Sequence, residues 1–149
     1  VVKTVRGEVP DLLLAVRLPA QDYLPGGLTI AEMIWVVQQL QELGVDLIDV
    51  SSGLGGWRRP GNRDGQGYLV DDAMALKNHT RLPVVGVGGI ESGAYIDEII
   101  RAHKVDFAAV GRAILSAPQA WGDIHLRRLR ASSSLTISSS DTCSRFPVL

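Results

Sequence analysis

The chain holds a single cysteine, Cys143, so no internal disulfide can form and cysteine gives no metal cluster. Histidine is scarce as well: His79, His103 and His125 lie far apart, at no metal-ligand spacing and without cysteine partners, so no metal site is expected. His103 and His125 read as surface residues at helix ends. Neither sign of charge dominates, with a formal net charge of −1, which removes the electrostatic case for nucleic acid or an acidic membrane surface. No apolar run is long enough to cross a bilayer, and none has the form of a secretory leader, so a cytoplasmic location is expected. A G-x-S-x-G nucleophile elbow and a G-x-G-x-x-G dinucleotide fingerprint are both missing. What remains is 149 residues of ordinary globular composition, 46% hydrophobic and 21% charged, enough for one core.

Apolar periodicity alternates along the chain between short runs and helical stripes. Val1, Val2 and Val5 read as the end of a helix that stops by Pro10, an opening expected of a fragment. Leu12–Leu18 reads as a first buried strand, interrupted by Arg17. A guanidinium there is costly unless an anion or carbonyl meets it; the other reading puts Arg17 at the strand's end, facing water. Thr29 with Glu32 forms a capping box, Ile30, Met33, Ile34, Val37, Leu40 and Leu43 make one apolar face, and Gly44 ends the helix. Asp46–Ser51 is a second strand. Residues 52–67 form a long polar loop with Trp57, Arg58, Arg59 and Arg63, and Val70–Asn78 is a third helix. Strands alternating with helices predict an α/β fold with a parallel sheet.

The densest chemistry lies between Pro83 and Arg112. Pro83–Val87 reads as a buried strand ending in Gly88 and Gly89. Ile96, Ile99, Ile100 and His103 give the next helix its stripe, and the strand Phe107–Val110 ends in Gly111 and Arg112. Two successive strands finishing in glycine turns, with exposed backbone N–H groups and a guanidinium beside them, suit a phosphate. The plain alternative is that these glycines only make tight βα turns. Beyond them comes a helical pair broken at Pro118. From Arg127 to Leu149 the chain is serine-rich without a stripe, and reads as a disordered tail separate from a domain over residues 1–126.

The segments VRLPAQDYLPGGLTIAEM, GVDLIDVSSG, GQGYLV, LPVVGVGGI and FAAVGRAILSAP, in this order, resemble the C-terminal half of the Old Yellow Enzyme family. These are FMN-containing, NAD(P)H-dependent ene-reductases, and the match leans to the bacterial-type NADPH dehydrogenase branch. The resemblance covers roughly residues 1–126 and implies strands five to eight of a (β/α)8 barrel, a half barrel of four βα units. It implies that Arg17 contacts the pyrimidine edge of the flavin, where negative charge develops on reduction. It implies that Gly111 and Arg112 bind the FMN phosphate, with Gly88 and Gly89 forming the other phosphate turn less strictly. Ser51 and Ser52 stand at the neighbouring strand end, and the resemblance implies that Ser52 approaches the cofactor's phosphate through hydroxyl or backbone. The implied reaction passes a hydride from NAD(P)H to FMN and on to a small activated alkene.

The family's substrate-binding histidine pair and its proton-donating tyrosine have no counterpart here, so no catalytic residue is assigned. A whole barrel needs about 250 residues. The expected product is therefore a truncated oxidoreductase, competent only with its missing N-terminal half. Two other readings stand beside it. One is a non-catalytic half barrel that binds FMN or phosphate and pairs with itself or a partner chain. The other is a phosphate-binding barrel isomerase or lyase, against which Arg17 and DVSSG count.

Overall fold

The computed structural model describes residues 1–55 and 64–119. Trp57, Arg58, Arg59, Arg63, the segment after Gln119 with His125 and Cys143, and the serine-rich tail lie outside the described residues.

Among the described residues helices and strands alternate strictly: α1 (Val2–Glu8), β1 (Ala15–Pro19), α2 (Ile30–Glu42), β2 (Leu47–Ser51), α3 (Val70–Lys77), β3 (Val84–Gly86), α4 (Gly93–Arg101), β4 (Phe107–Ala108) and α5 (Arg112–Ser116). The strands form one parallel sheet in chain order. Ala15 pairs with Leu47 through to Pro19 with Ser51, Ile48 with Val84, and Gly86 with Ala108. Parallel neighbours require a crossover, and each connection supplies a helix.

The period of two along the strands divides the sheet into faces. Leu18, Ile48, Val50 and Val84 pack on Met33, Val37 and Leu40 of α2, Ala73 and Leu76 of α3, and Ile99 of α4. The opposite register row runs Arg17, Asp49, Val85, Phe107, and among the described residues no helix covers it. Phe107 is accordingly 53% exposed.

Local signals worked where partners are close in sequence. The Thr29 hydroxyl accepts from the Glu32 amide, and the Glu32 carboxylate accepts from the Thr29 amide, completing the expected box. Gly44, at φ +78°, closes α2 while its N–H and that of Val45 donate back to Gln41 and Leu40.

Several expected boundaries moved: the strand expected over Pro83–Val87 is paired only over Val84–Gly86, and three further shifts have a visible setting. The first strand begins at Ala15, not Leu12, and Leu12 and Leu13 are 63% and 72% exposed. The Arg6 guanidinium takes the carbonyls of Pro10, Leu12 and Gly44 and the carboxylate of Asp46, which also accepts the Leu14 amide. That network holds residues 10–14 outside the ladder. The α4 helix stops at Arg101, so His103 is not on its stripe. His103 instead sits at φ +54° as the left-handed residue of a helix-ending turn, with its N–H on Ile100 and that of Lys104 on Ile99. The last strand is Phe107–Ala108 rather than Phe107–Val110. Its ladder closes when the Ala109 amide meets the Gly86 carbonyl at 2.8 Å.

Candidate functional site

Every βα turn of the sheet opens on the same end, the carboxyl ends of the strands, where α/β proteins bind ligands. The loops after β1 and β2 are locked together there by Asp22. Its Oδ2 accepts the Leu28 amide at 2.9 Å and its Oδ1 the Leu54 amide at 3.0 Å. These two backbone bonds hold its carboxyl below the ordinary aspartate range. The Gly53 amide donates to Gln21 and the Gly55 amide to Asp22, each at 3.0 Å. Gly53 must be glycine, because a Cβ would stand 2.1 Å from Asp22 Oδ1. This clasp sets the end of β2, with Ser51 and Ser52.

The turn after β3 is built against residues 66–69. The Gly88 carbonyl accepts the amides of Gly67 and Tyr68 at 2.5 and 3.1 Å. Gly88 has φ +122°, and a Cβ on it would lie 2.7 Å from the Leu69 nitrogen. Gly89 is also left-handed, at φ +62°. The turn after β4 is simpler: Gly111 precedes α5 without a capping side chain, and a Cβ there would meet nothing within 4 Å. Arg112 is exposed beside it.

Arg17 stands in the middle of β1, on the uncovered face: an anion meets it, as the first reading required, but it is not buried, and it faces solvent, as the second held, without being at the strand's end. Its side chain is 65% exposed and its Nη1 lies 3.5 Å from Asp49 Oδ2. The other carboxylate oxygen, Asp49 Oδ1, is buried with no hydrogen-bond partner among the described residues.

These pieces enclose one cleft of about 960 Å³. Arg17, Ser52, Gly88, Gly89, Gly111 and Arg112 all line it, brought together from four strands. Tyr68 and Glu91 line it too and had drawn no role from the sequence, although GQGYLV was among the segments quoted above. Asp22, Asp49 and Gln66 were equally unmarked. An aspartate in a Pro- and Gly-rich loop reads as a turn former, and its partner in a distant loop leaves no local signal.

A further buried acid lies where this scaffold meets α3. Asp72 is 4% exposed and accepts from the Tyr23 hydroxyl and from Gln21 Nε2, the latter at 3.2 Å. Burial pushes its carboxyl up to about 6, partly offset by the Gln21 bond. Among the described residues no group of three His, Cys, Asp or Glu could hold a metal ion. No helix among them is long and apolar enough to cross a membrane.

The class is thus a parallel α/β sheet with a glycine-lined cleft at its strand ends, flanked by Arg17 and Arg112, the place where α/β proteins of this kind carry small-molecule sites. Residues 1–128 match the NADH:flavin oxidoreductase / NADH oxidase family, and the chain belongs to that family. It is 38% identical over 119 residues to an NADPH dehydrogenase of Geobacillus thermodenitrificans, covering 79% of this chain and 34% of the relative. With an NADPH dehydrogenase of Bacillus pumilus it shares 40% identity over 111 residues, 74% of this chain and 32% of the relative. The chain thus spans about a third of the length of these relatives. In fold it is similar to histamine dehydrogenase from Rhizobium sp. 4-9, with a TM-score of 0.72 at 22% identity over 87% of this chain and 19% of that one. The resemblance to Old Yellow Enzyme-like proteins noted from the sequence agrees with the family match.

Proposed function

We propose that the chain is the phosphate-side and ring-edge half of an FMN-dependent NAD(P)H oxidoreductase of the ene-reductase type. In this reading its four βα units are the second half of a (β/α)8 barrel. The observation that carries it is the convergence of Arg17, Ser52, Gly88, Gly89, Gly111 and Arg112 on one cleft. The cleft's volume lies at the upper end of the roughly 300–1,000 Å³ usual for small-molecule sites, adequate for a mononucleotide. The open space around the Cα of Gly111 and the lack of a capping side chain there leave room for a phosphate beside Arg112. The residues therefore fit FMN.

Bound FMN would supply the hydride acceptor and donor. The chain's own part is to hold and polarise it. Arg112 and the backbone at Gly88, Gly89 and Gly111 would hold the phosphate, with Ser52 at the neighbouring strand end as a further hydroxyl or backbone donor toward it. Arg17 offers N–H donors and positive charge where electron density accumulates at the pyrimidine edge. The names of the NADPH dehydrogenase relatives support NAD(P)H as hydride donor. Reduction of an activated alkene is proposed to rest on segments beyond these 149 residues.

A second reading, a non-catalytic FMN- or phosphate-binding half barrel that associates with itself or with a partner chain, draws on the uncovered row Arg17, Asp49, Val85, Phe107. The test is the visible absorbance of the purified chain after FMN is added and the excess removed, with the mass in solution measured alongside. A retained flavin band and NADPH oxidation support the first reading. A band without NADPH oxidation, in a dimer, supports the second. No band from chain of native mass and melting behaviour overturns FMN binding by this half.

A further inference from the structure

Gln66 is not among the cleft's lining residues, yet its side chain bonds repeatedly to the turn that is. Its Oε1 accepts the backbone amides of Glu91 at 3.0 Å and Ser92 at 3.1 Å, and its Nε2 lies 3.2 Å from the Ser92 hydroxyl. Ser92 in turn caps α4 by accepting the Tyr95 amide at 3.3 Å. One residue further along, the amides of Gly67 and Tyr68 hold the Gly88 carbonyl. Gly67 is fixed in this position: its φ is +74°, and a Cβ would fall on the Tyr95 ring. The turn from Gly88 to Ser92 is thereby gripped at both ends by three consecutive residues. Between the grips the amides of Gly88 and Gly89 make no backbone hydrogen bond among the described residues.

We infer that Gln66 is a positioning residue for the Gly88–Gly89 turn, and a determinant of its preference for a phosphate-bearing ligand. The inference rests on the FMN reading above and deepens it. The choice of glutamine matters. A carbonyl oxygen satisfies the two amides of Glu91 and Ser92 while adding no net charge beside an anion-binding turn. A carboxylate would accept the same two bonds and repel the phosphate.

The test compares Gln66→Leu and Gln66→Glu with the unaltered chain, measuring FMN and riboflavin affinity at low and high salt alongside the melting temperature. Riboflavin shares the ring and lacks the phosphate. Gln66→Leu is expected to weaken FMN about tenfold at either salt while riboflavin stays within about twofold, since the turn alone loses its support. Gln66→Glu keeps the acceptor, so melting and riboflavin binding should match the unaltered chain. FMN should weaken about tenfold at low salt and recover as salt screens the new charge. Equal losses for both flavins in Gln66→Leu, or unchanged FMN affinity in both variants, overturn the inference. If the unaltered chain binds neither flavin, the FMN reading fails by itself, and inorganic phosphate becomes the probe. The positioning role then stands only if Gln66→Leu weakens inorganic phosphate by the same factor.

Discussion

Arg17 and Asp49 are register partners on β1 and β2, and their side chains meet at 3.5 Å on the sheet face that no helix covers. The contact is long and is made by one guanidinium nitrogen of a side chain that also lines the cleft. Asp49 thus places a carboxylate within ion-pair reach of Arg17, while its other oxygen is buried without a hydrogen-bond partner among the described residues.

If Arg17 faces the ring edge, Arg17→Met should make bound FMN harder to reduce. A charge-assisted hydrogen bond is worth about 1.5–3 kcal/mol, so the potential should fall by about 30–60 mV for two electrons. Spectroelectrochemical titration of the FMN-loaded chain reads this directly, and an unchanged potential removes Arg17 from the ring.

Arg112 should discriminate by phosphate rather than by ring. Arg112→Ala is expected to weaken FMN about 10- to 100-fold and leave riboflavin nearly unaffected, because only FMN loses a charge-assisted bond. Fluorescence titration with the two flavins decides it; equal losses place the guanidinium elsewhere.

Gly88 is constrained by protein before any ligand enters. Gly88→Ala forces a side chain into φ +122° and a Cβ to 2.7 Å from the Leu69 nitrogen. A destabilisation of about 1–3 kcal/mol is expected from the backbone strain alone. Chemical denaturation measures it in the absence of FMN. Wild-type stability would show that the turn relaxes freely and that its shape is not set by the Gly67–Leu69 contact.

Asp72 should make stability fall with rising pH. Its carboxyl titrates at about 6 in the folded chain against 3.8 for an ordinary aspartate, so the folded state holds the proton more tightly. The slope of unfolding free energy is then negative between those two values and flat above them. Solvent screening keeps the effect on the order of 1–2 kcal/mol. Asp72→Asn, which cannot ionise, should lose this component, and the difference between the two melting profiles over about pH 4–6.5 isolates it. Parallel profiles would mean the carboxyl titrates normally.

Asp22 should show the opposite sign. Its carboxyl is depressed by the Leu28 and Leu54 amides, so the clasp is intact above the ordinary aspartate value and is lost as pH falls through the depressed one. Hydrogen exchange at those two amides should accelerate on acidification and already be fast in Asp22→Ala at neutral pH. Slow exchange in that variant would show that the loops hold without the carboxylate.

Much of this protein is legible in its sequence wherever the determining contacts are short. The alternation of strands and helices, the Thr29–Glu32 box and the Gly44 terminus all arise from neighbours within a few residues. So does the expectation of glycine turns after β3 and β4, since a chain leaving a strand abruptly needs residues free of a Cβ. The ordered segments from VRL to VGR added the family and pointed to the six cleft residues.

Tertiary structure decided what local pattern could not. Gln66 meets Ser92 across 26 positions, Asp22 meets Leu54 across 32, and Tyr23 meets Asp72 across 49. No periodicity of two or 3.6 residues encodes such pairs, so the grip on the Gly88 turn, the loop clasp and the buried acid were invisible beforehand. The start of β1 depended on Arg6 and Asp46 capturing the preceding backbone, an interaction that an apolar run cannot announce. The glycine turns and the family resemblance nominated residues for a phosphate and a ring edge. Only the folded chain, by bringing four strand ends to one side of a parallel sheet, placed them around a single cleft.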